Sequence, residues 1–157
     1  MPERARILII DDDEDIRKTM SVLLEGEGYI VDTAENGKQA IEKSQRNFYN
    51  LALIDIRLPD MYGTQLLTEM KNTTPKMIKI MVTGYAALDN AMESMNRGAD
   101  GYVTKPVDPE KLLTMINDRL KEQEEMREYG EEKMADHIRT RFREVKSTKE
   151  ARDASQK

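Results

Sequence analysis

Short apolar runs alternate with longer segments of helical period along the first 120 residues of the chain. The runs RILII (6–10), YIVDTA (29–34), LALID (51–55), MIKIMVT (77–83) and DGYVT (100–104) read as five strands. RILII has the near-continuous apolar character of a strand covered on both faces. Between the strands, residues 13–28, 36–47, 63–72 and 87–98 read as helices, and 108–120 begins a fifth. In the first, Ile16, Met20, Leu23 and Leu24 share a face, and Gly26 and Gly28 are stop signals. In the second, Ala40 and Ile41 point inward. The third follows a turn at Pro59 and Gly63, Gly98 ends the fourth, and Asp108 caps the fifth with Pro109 in its first turn.

Strict alternation of strands and helices implies right-handed crossovers and a doubly wound α/β fold, with a parallel sheet covered on both faces. Ligands of such sheets bind at the carboxyl ends of the strands. The totals narrow the chemistry. There is no cysteine, which excludes disulfides, thiolate metal sites and a cysteine nucleophile, and one histidine, His137, leaves little for a zinc or iron site. No apolar run approaches the roughly 20 residues of a membrane span. The N-terminal MPERAR is not followed by a signal-peptide core, so a cytoplasmic location is expected. The net charge of −5 divides into −6 over residues 1–118 and +1 over 119–157, so the body is a poor nucleic-acid surface.

The strand ends carry the candidate chemistry. Asp11 and Asp12 follow the first strand, Asp55 ends the third, Thr83 ends the fourth, and Lys105 and Pro106 follow the fifth. Taken singly, each is an ordinary cap or turn residue; Asp13, Glu14 and Asp15 read as first-turn acids favoured by the helix dipole, and Pro106 reads as a turn proline or a cis candidate. Taken together, they place three carboxylates, a hydroxyl and an amine on one rim. Crowded carboxylates raise one another's pKa unless a cation sits among them, and the hard-oxygen answer is Mg²⁺. A hydroxyl and an ammonium beside Mg²⁺ suit a phosphoryl group, and a carboxylate can itself accept one.

The pieces ILIIDDDEDIR (7–17), LIDIRLPDMYG (53–63), MVTGYA (81–86) and GADGYVTKPVD (98–108), in this order, resemble the receiver domain of two-component response regulators. The resemblance covers about residues 4–120. It implies a (βα)5, flavodoxin-like or CheY-like fold with a five-stranded parallel sheet of order 2-1-3-4-5, and a phosphoprotein whose acceptor is Asp55. It implies Mg²⁺ held by Asp11, Asp12, Asp55 and the backbone carbonyl of Arg57, with Thr83 as the switch hydroxyl and Lys105 as the amine that meets the phosphate. The Lys105–Pro106 bond is expected to be cis. Tyr102 stands at the rotating aromatic position, although a half-buried strand tyrosine explains it equally. Arg57, Gly84 and Tyr85 are expected to tune access and phosphate lifetime. The phosphoryl donor would be a histidine kinase or a small molecule such as acetyl phosphate.

Beyond Leu120 lie 37 residues, too few for a second core. The organisation expected is a receiver at 1–120 and a charged helical extension at 121–157, with Gly130 as a helix stop and the last ten residues disordered. Met134, Ile138, Phe142 and Val145 form an apolar stripe beside Arg139, Arg141 and Arg143. That stripe packs back on the body, pairs with a second subunit or binds a partner. The function expected is therefore a single-domain response regulator that signals by protein–protein contact through segment 87–98, strand 100–104 and segment 108–120, with homodimerisation through that face or the extension. A phosphorelay intermediate, a phosphate sink and a DNA-binding transcriptional regulator using the basic helix are the alternatives. Turnover of an external substrate is not expected: phosphohydrolases of the haloacid-dehalogenase type carry a second aspartate where Arg57 stands.

Overall fold

The computed structural model describes residues 4–70, 72, 73, 75–84, 94, 95 and 97–155, with side chains to Arg143. The chain forms two compact units, Met1–Lys121 and Glu122–Lys157.

The first unit is built on β1 (Arg6–Ile10), β2 (Ile30–Ala34), β3 (Leu51–Ile54), β4 (Ile78–Thr83) and β5 (Gly101–Thr104), with helices α1 (Glu14–Gly26), α2 (Gly37–Arg46), α3 (Gly63–Glu69) and the start of α4 (Pro109–Ser155). The strands form one parallel sheet of order β2-β1-β3-β4-β5, as the resemblance implied. Alternation along the strands divides the core between two faces. Leu8, Ile10, Ala52, Ile54 and Met81 meet Ala40 of α2 and Leu66 and Leu67 of α3. Ile7, Ile9, Leu53, Ile80 and Val82 meet Met20 and Leu24 of α1 and Leu112 and Ile116 of α4. Because both faces are covered, β1, β3 and β4 are buried almost end to end, and that is why their sequence shows runs instead of alternation.

Local chemistry explains where the elements begin and end. Asp13, expected within the first turn of α1, is its N-cap, and its carboxylate accepts from the amides of Asp15 and Ile16. Gly28 follows α1 at φ +93°, a conformation that favours glycine. α3 ends at Glu69, earlier than its apolar pattern suggested, because Met70 is extended. The buried Lys79 ammonium of β4 donates to the Leu67 carbonyl at 2.9 Å, satisfying an acceptor that the short helix leaves open. Of the helix expected at 87–98, Ser94 and Met95 are helical and the residues before them lie outside the described ones. Its end is a Schellman motif: Gly98, at φ +105°, donates to Met95 O and Ala99 to Ser94 O.

The second unit is the continuation of α4. The helix does not stop at Gly130, and helical backbone runs to Ser155, through residues expected to be disordered. A mid-helix glycine costs about 0.5–1 kcal/mol relative to alanine, which the strong helix formers around it offset. Gly130 lies in open space, so an added methyl meets nothing. Gly130→Ala should therefore slow amide exchange in the surrounding turns by about 2- to 5-fold. Unchanged or faster exchange would mean that this stretch gains nothing from helical propensity.

Candidate functional site

The register of the sheet assembles the rim. Ile10 of β1 pairs with Ile54 of β3, so the next residue of each strand, Asp11 and Asp55, stand side by side. Hydrogen bonds carry this order past the strand ends: Asp55 N donates to Ile10 O at 3.0 Å, Asp11 N to Ala34 O at 3.1 Å, and Lys105 N to Thr83 O at 2.7 Å. The carboxylates therefore sit where the apolar sheet has just ended, and both are buried, Asp11 3% and Asp55 8% exposed.

Lys105 answers that charge. Its ammonium lies 2.8 Å from Asp11 Oδ2 and 3.4 Å from Asp55 Oδ2. The free oxygen of Asp11 accepts from the Asp13 amide at 2.9 Å, and Asp55 Oδ1 from the Arg57 amide at 3.4 Å. Arg17 donates to the Asp11 carbonyl at 2.8 Å. Burial pushes the Asp55 carboxyl above the ordinary carboxylate range; Lys105 pulls against this, and the Asp11 charge adds to it. Burial works against the Lys105 ammonium, but its bonds and charge attraction to Asp11 and Asp55 prevail and raise its pKa.

The carboxylate oxygens of Asp11, Asp12 and Asp55 come within 4.8 Å of one another, with Asp12 exposed to solvent. Three hard anionic oxygens at an open rim, with one ammonium among them in the described residues, fit a divalent cation that keeps some of its water. Thr83 is fully buried at the end of β4. The Lys105–Pro106 peptide is cis. Tyr102 is half-buried and packs against the core on the α2–α3 side of the sheet. Arg57 is exposed, and a side chain at Gly84 would meet nothing within 4 Å. Tyr85 lies outside the described residues.

Two features of the β3–α3 loop escaped the sequence reading. Gly63 was taken as a turn residue; in fact a Cβ there would lie 2.2 Å from the Asp55 carbonyl oxygen, and Gly63 N donates to Ile56 O at 2.6 Å. The second is Asp60. Its two oxygens each accept at 2.9 Å from the Gly37 and Lys38 amides, the open N-terminus of α2. These donors hold the Asp60 carboxyl below the ordinary range, Gly37 first among them. The loop that carries Arg57 is thus fastened at both ends. Only the Pro-Asp pair hinted at this, and the partner lies 23 residues away.

A family model described as response regulator receiver domain matches residues 7–117. The crystal structure of a CheY-like response regulator receiver domain protein from Methanospirillum hungatei JF-1 superposes with a TM-score of 0.75 at 48% identity, covering 79% of this chain and 99% of that one. Transcriptional regulatory protein ZraR of Klebsiella oxytoca is 37% identical over 118 residues, 75% of this chain and 27% of its own length. The alginate biosynthesis transcriptional regulatory protein AlgB of Pseudomonas aeruginosa is 37% identical over 110 residues, 70% and 24%. The chain thus spans about a quarter of the length of these relatives. Among the described residues, no helix is long and apolar enough to cross a membrane.

Two outcomes follow from this geometry. Gly63→Ala should lower unfolding free energy by about 1–3 kcal/mol, because the methyl meets the Asp55 backbone carbonyl as well as the Met81 side chain, and the backbone cannot swing aside; an unchanged denaturation midpoint would contradict the close approach. The second concerns pH. With its folded pKa raised, Asp55 binds its proton more tightly in the native state than in the unfolded chain, so its ionisation opposes folding. That cost is absent below the ordinary carboxyl pKa and is complete above the raised one. In metal-free buffer Asp55→Asn should therefore be more stable than the wild type at neutral pH, with an advantage that shrinks on acidification. An advantage that does not vary with pH would reject this reading.

Proposed function

The chain belongs to the response regulator receiver domain family, and from that premise we propose that Asp55 is its phosphoacceptor, charged by a histidine kinase and read out through protein–protein contact. The observation that carries the reading is the Lys105 ammonium, 2.8 Å from Asp11 and 3.4 Å from Asp55, within a trio of carboxylates.

In the transfer, a carboxylate oxygen of Asp55 attacks phosphorus, the bond from phosphorus to the donor nitrogen breaks, and an aspartyl phosphate forms. Asp55 is placed for this by β3, with Oδ2 toward Lys105 and Oδ1 toward the Arg57 amide. Asp11, Asp12, Asp55 and the Arg57 carbonyl would hold Mg²⁺, which supplies charge neutralisation for the carboxylates and the phosphoryl oxygens. Lys105, already poised between two carboxylates, offers its proton-rich head to one of those oxygens. The Thr83 hydroxyl at the end of β4 supplies a further donor, and Tyr102, half-buried on β5, follows its movement. Positioning and fixed charge thus do the chemical work. Arg57, exposed two residues after the acceptor, would slow the approach of water, and the bare Gly84 leaves room for the donor. The position two residues after Asp55 carries no carboxylate to serve as acid or base, which supports a signalling module over an enzyme that turns over an external substrate.

The names of ZraR and AlgB support a second reading of the output, that this receiver serves a transcriptional regulator. The phosphoryl chemistry is the same in both. Binding to duplex DNA that persists at physiological salt favours the second, and its absence favours output by protein contact alone.

The direct test is intact mass after incubation with Mg²⁺ and acetyl phosphate. Wild type should gain one phosphoryl group, and Asp55→Asn or wild type in EDTA should gain none. Addition of phosphate to Asp55→Asn at the wild-type rate would place the acceptor elsewhere.

A further inference from the structure

The second unit carries a charge pattern that the receiver chemistry leaves unused. Along α4, residues 122–132 hold six glutamates and one arginine, and residues 133–143 hold four cations and one aspartate. One exposed helix is thus an acidic rod for three turns and a basic rod for the next three. The helix dipole does not account for this, because its effect fades within the first turn and residue 122 lies more than three turns beyond Pro109. Ion pairs within the helix do not absorb it either. Arg127 reaches Glu124 at 3.9 Å and Glu131 at 3.8 Å, but it is the only cation of its block.

Exposed apolar side chains lie across the same boundary. Met126, Met134 and Phe142 are 71%, 69% and 72% exposed, and Tyr129 and Ile138 are about half exposed. Met126 and Phe142 stand eight residues either side of Met134. A two-fold axis at Met134 therefore sets Met126 opposite Phe142 and Glu125 opposite Arg143, and lays the acidic block 122–132 along residues 136–146, which hold four cations and two acids.

We propose that residues 122–143 of α4 form an antiparallel, two-fold interface with a second copy of this chain, centred near Met134. A parallel pair would set acidic block beside acidic block and basic beside basic. The antiparallel pair sets each block against its opposite, and does so twice, as an isologous interface requires. Exposed ion pairs are individually weak, so the charges select the orientation and burial of the apolar side chains supplies the affinity. This interface does not depend on Asp55 or on phosphorylation.

The test uses the full chain. Sedimentation equilibrium should show a monomer–dimer equilibrium whose dissociation constant rises at least about tenfold from low salt to roughly 0.5 M salt. Glu124→Lys/Glu128→Lys/Glu131→Lys, and separately Arg139→Glu/Arg141→Glu/Arg143→Glu, should each stay folded by circular dichroism and lose self-association. Mixing the two should restore a dimer. Orientation is read from one spin label at Glu125→Cys, in a chain with no cysteine of its own. The antiparallel pair separates two such labels by about 27 Å at a rise of 1.5 Å per residue. A parallel pair brings them to about the 10 Å interaxial distance. A monomer at every concentration and salt, a dimer indifferent to salt or to the charge reversals, or the short label distance would each overturn the proposal.

Discussion

The structure turns on one electrostatic constraint: two buried carboxylates, Asp11 and Asp55, held on adjacent strand ends with one ammonium between them. Parallel strands in register cannot avoid this. Once Ile10 pairs with Ile54, the residues after them are neighbours, whatever their charge. A buried carboxylate without a partner is costly, and taking away the cation that serves buried carboxylates typically costs 3–5 kcal/mol. Lys105 is therefore a structural member of the rim. Among the described residues it is one ammonium against three carboxylates that meet within 4.8 Å, with the Arg17 guanidinium bonded to the Asp11 carbonyl and not to a carboxylate of the trio. Negative charge gathered at an open rim is the chemistry that suits a hard divalent cation.

That charge is useful only if its surroundings do not relax. Asp11, Asp55 and Thr83 stand at the ends of β1, β3 and β4, whose residues are buried nearly throughout. Arg57, two residues after Asp55, is on a loop, and loops move more than strands. Here the loop is closed on itself by Leu58 N to Met61 O at 3.1 Å and by Gly63 N to Ile56 O. It is also tied to α2 through both oxygens of Asp60. Met61 lies so close over Gly37 that a Cβ there would meet its sulfur at 2.4 Å. Bracing of this kind gives a loop atom something near the positional precision of a strand.

The sheet and the rim were legible because they are written in contiguous residues. LALID announces both a strand buried on two faces and the acid at its end, and parallel order then brings the ends together. What stayed hidden depends on contacts between distant residues. Gly63 reads as a turn glycine until the Asp55 carbonyl is seen beside it. Asp60 reads as loop until it is seen capping a helix that began 23 residues earlier. Nothing in the strand sequence assigns Lys79 a partner, yet it is 6% exposed and closes α3. Gly130 misled in the other direction. A glycine stops a helix when the next turn needs positive φ, and here the flanking helix formers carry α4 through it at negative φ.

The two units handle charge in opposite ways. On the rim, like charges are crowded by a rigid sheet, and only a counter-charge from outside the carboxylate set, first Lys105 and then a divalent ion, can offset them. Along α4, opposite charges are held apart because a helix is a rod, and residue 124 cannot bend back to meet residue 141. An α-helix satisfies i to i+4 pairs and nothing longer, so a block of one sign cannot be neutralised by the opposite block further along the same helix. Solvent screens such blocks within about 10 Å at 0.1 M salt, which makes them tolerable without making them silent. A sequence drifting without constraint would intersperse its signs, as good solubility needs no more than that. Segregation over six turns, with Met126 and Phe142 placed evenly about Met134, is the pattern of a surface complementary to itself.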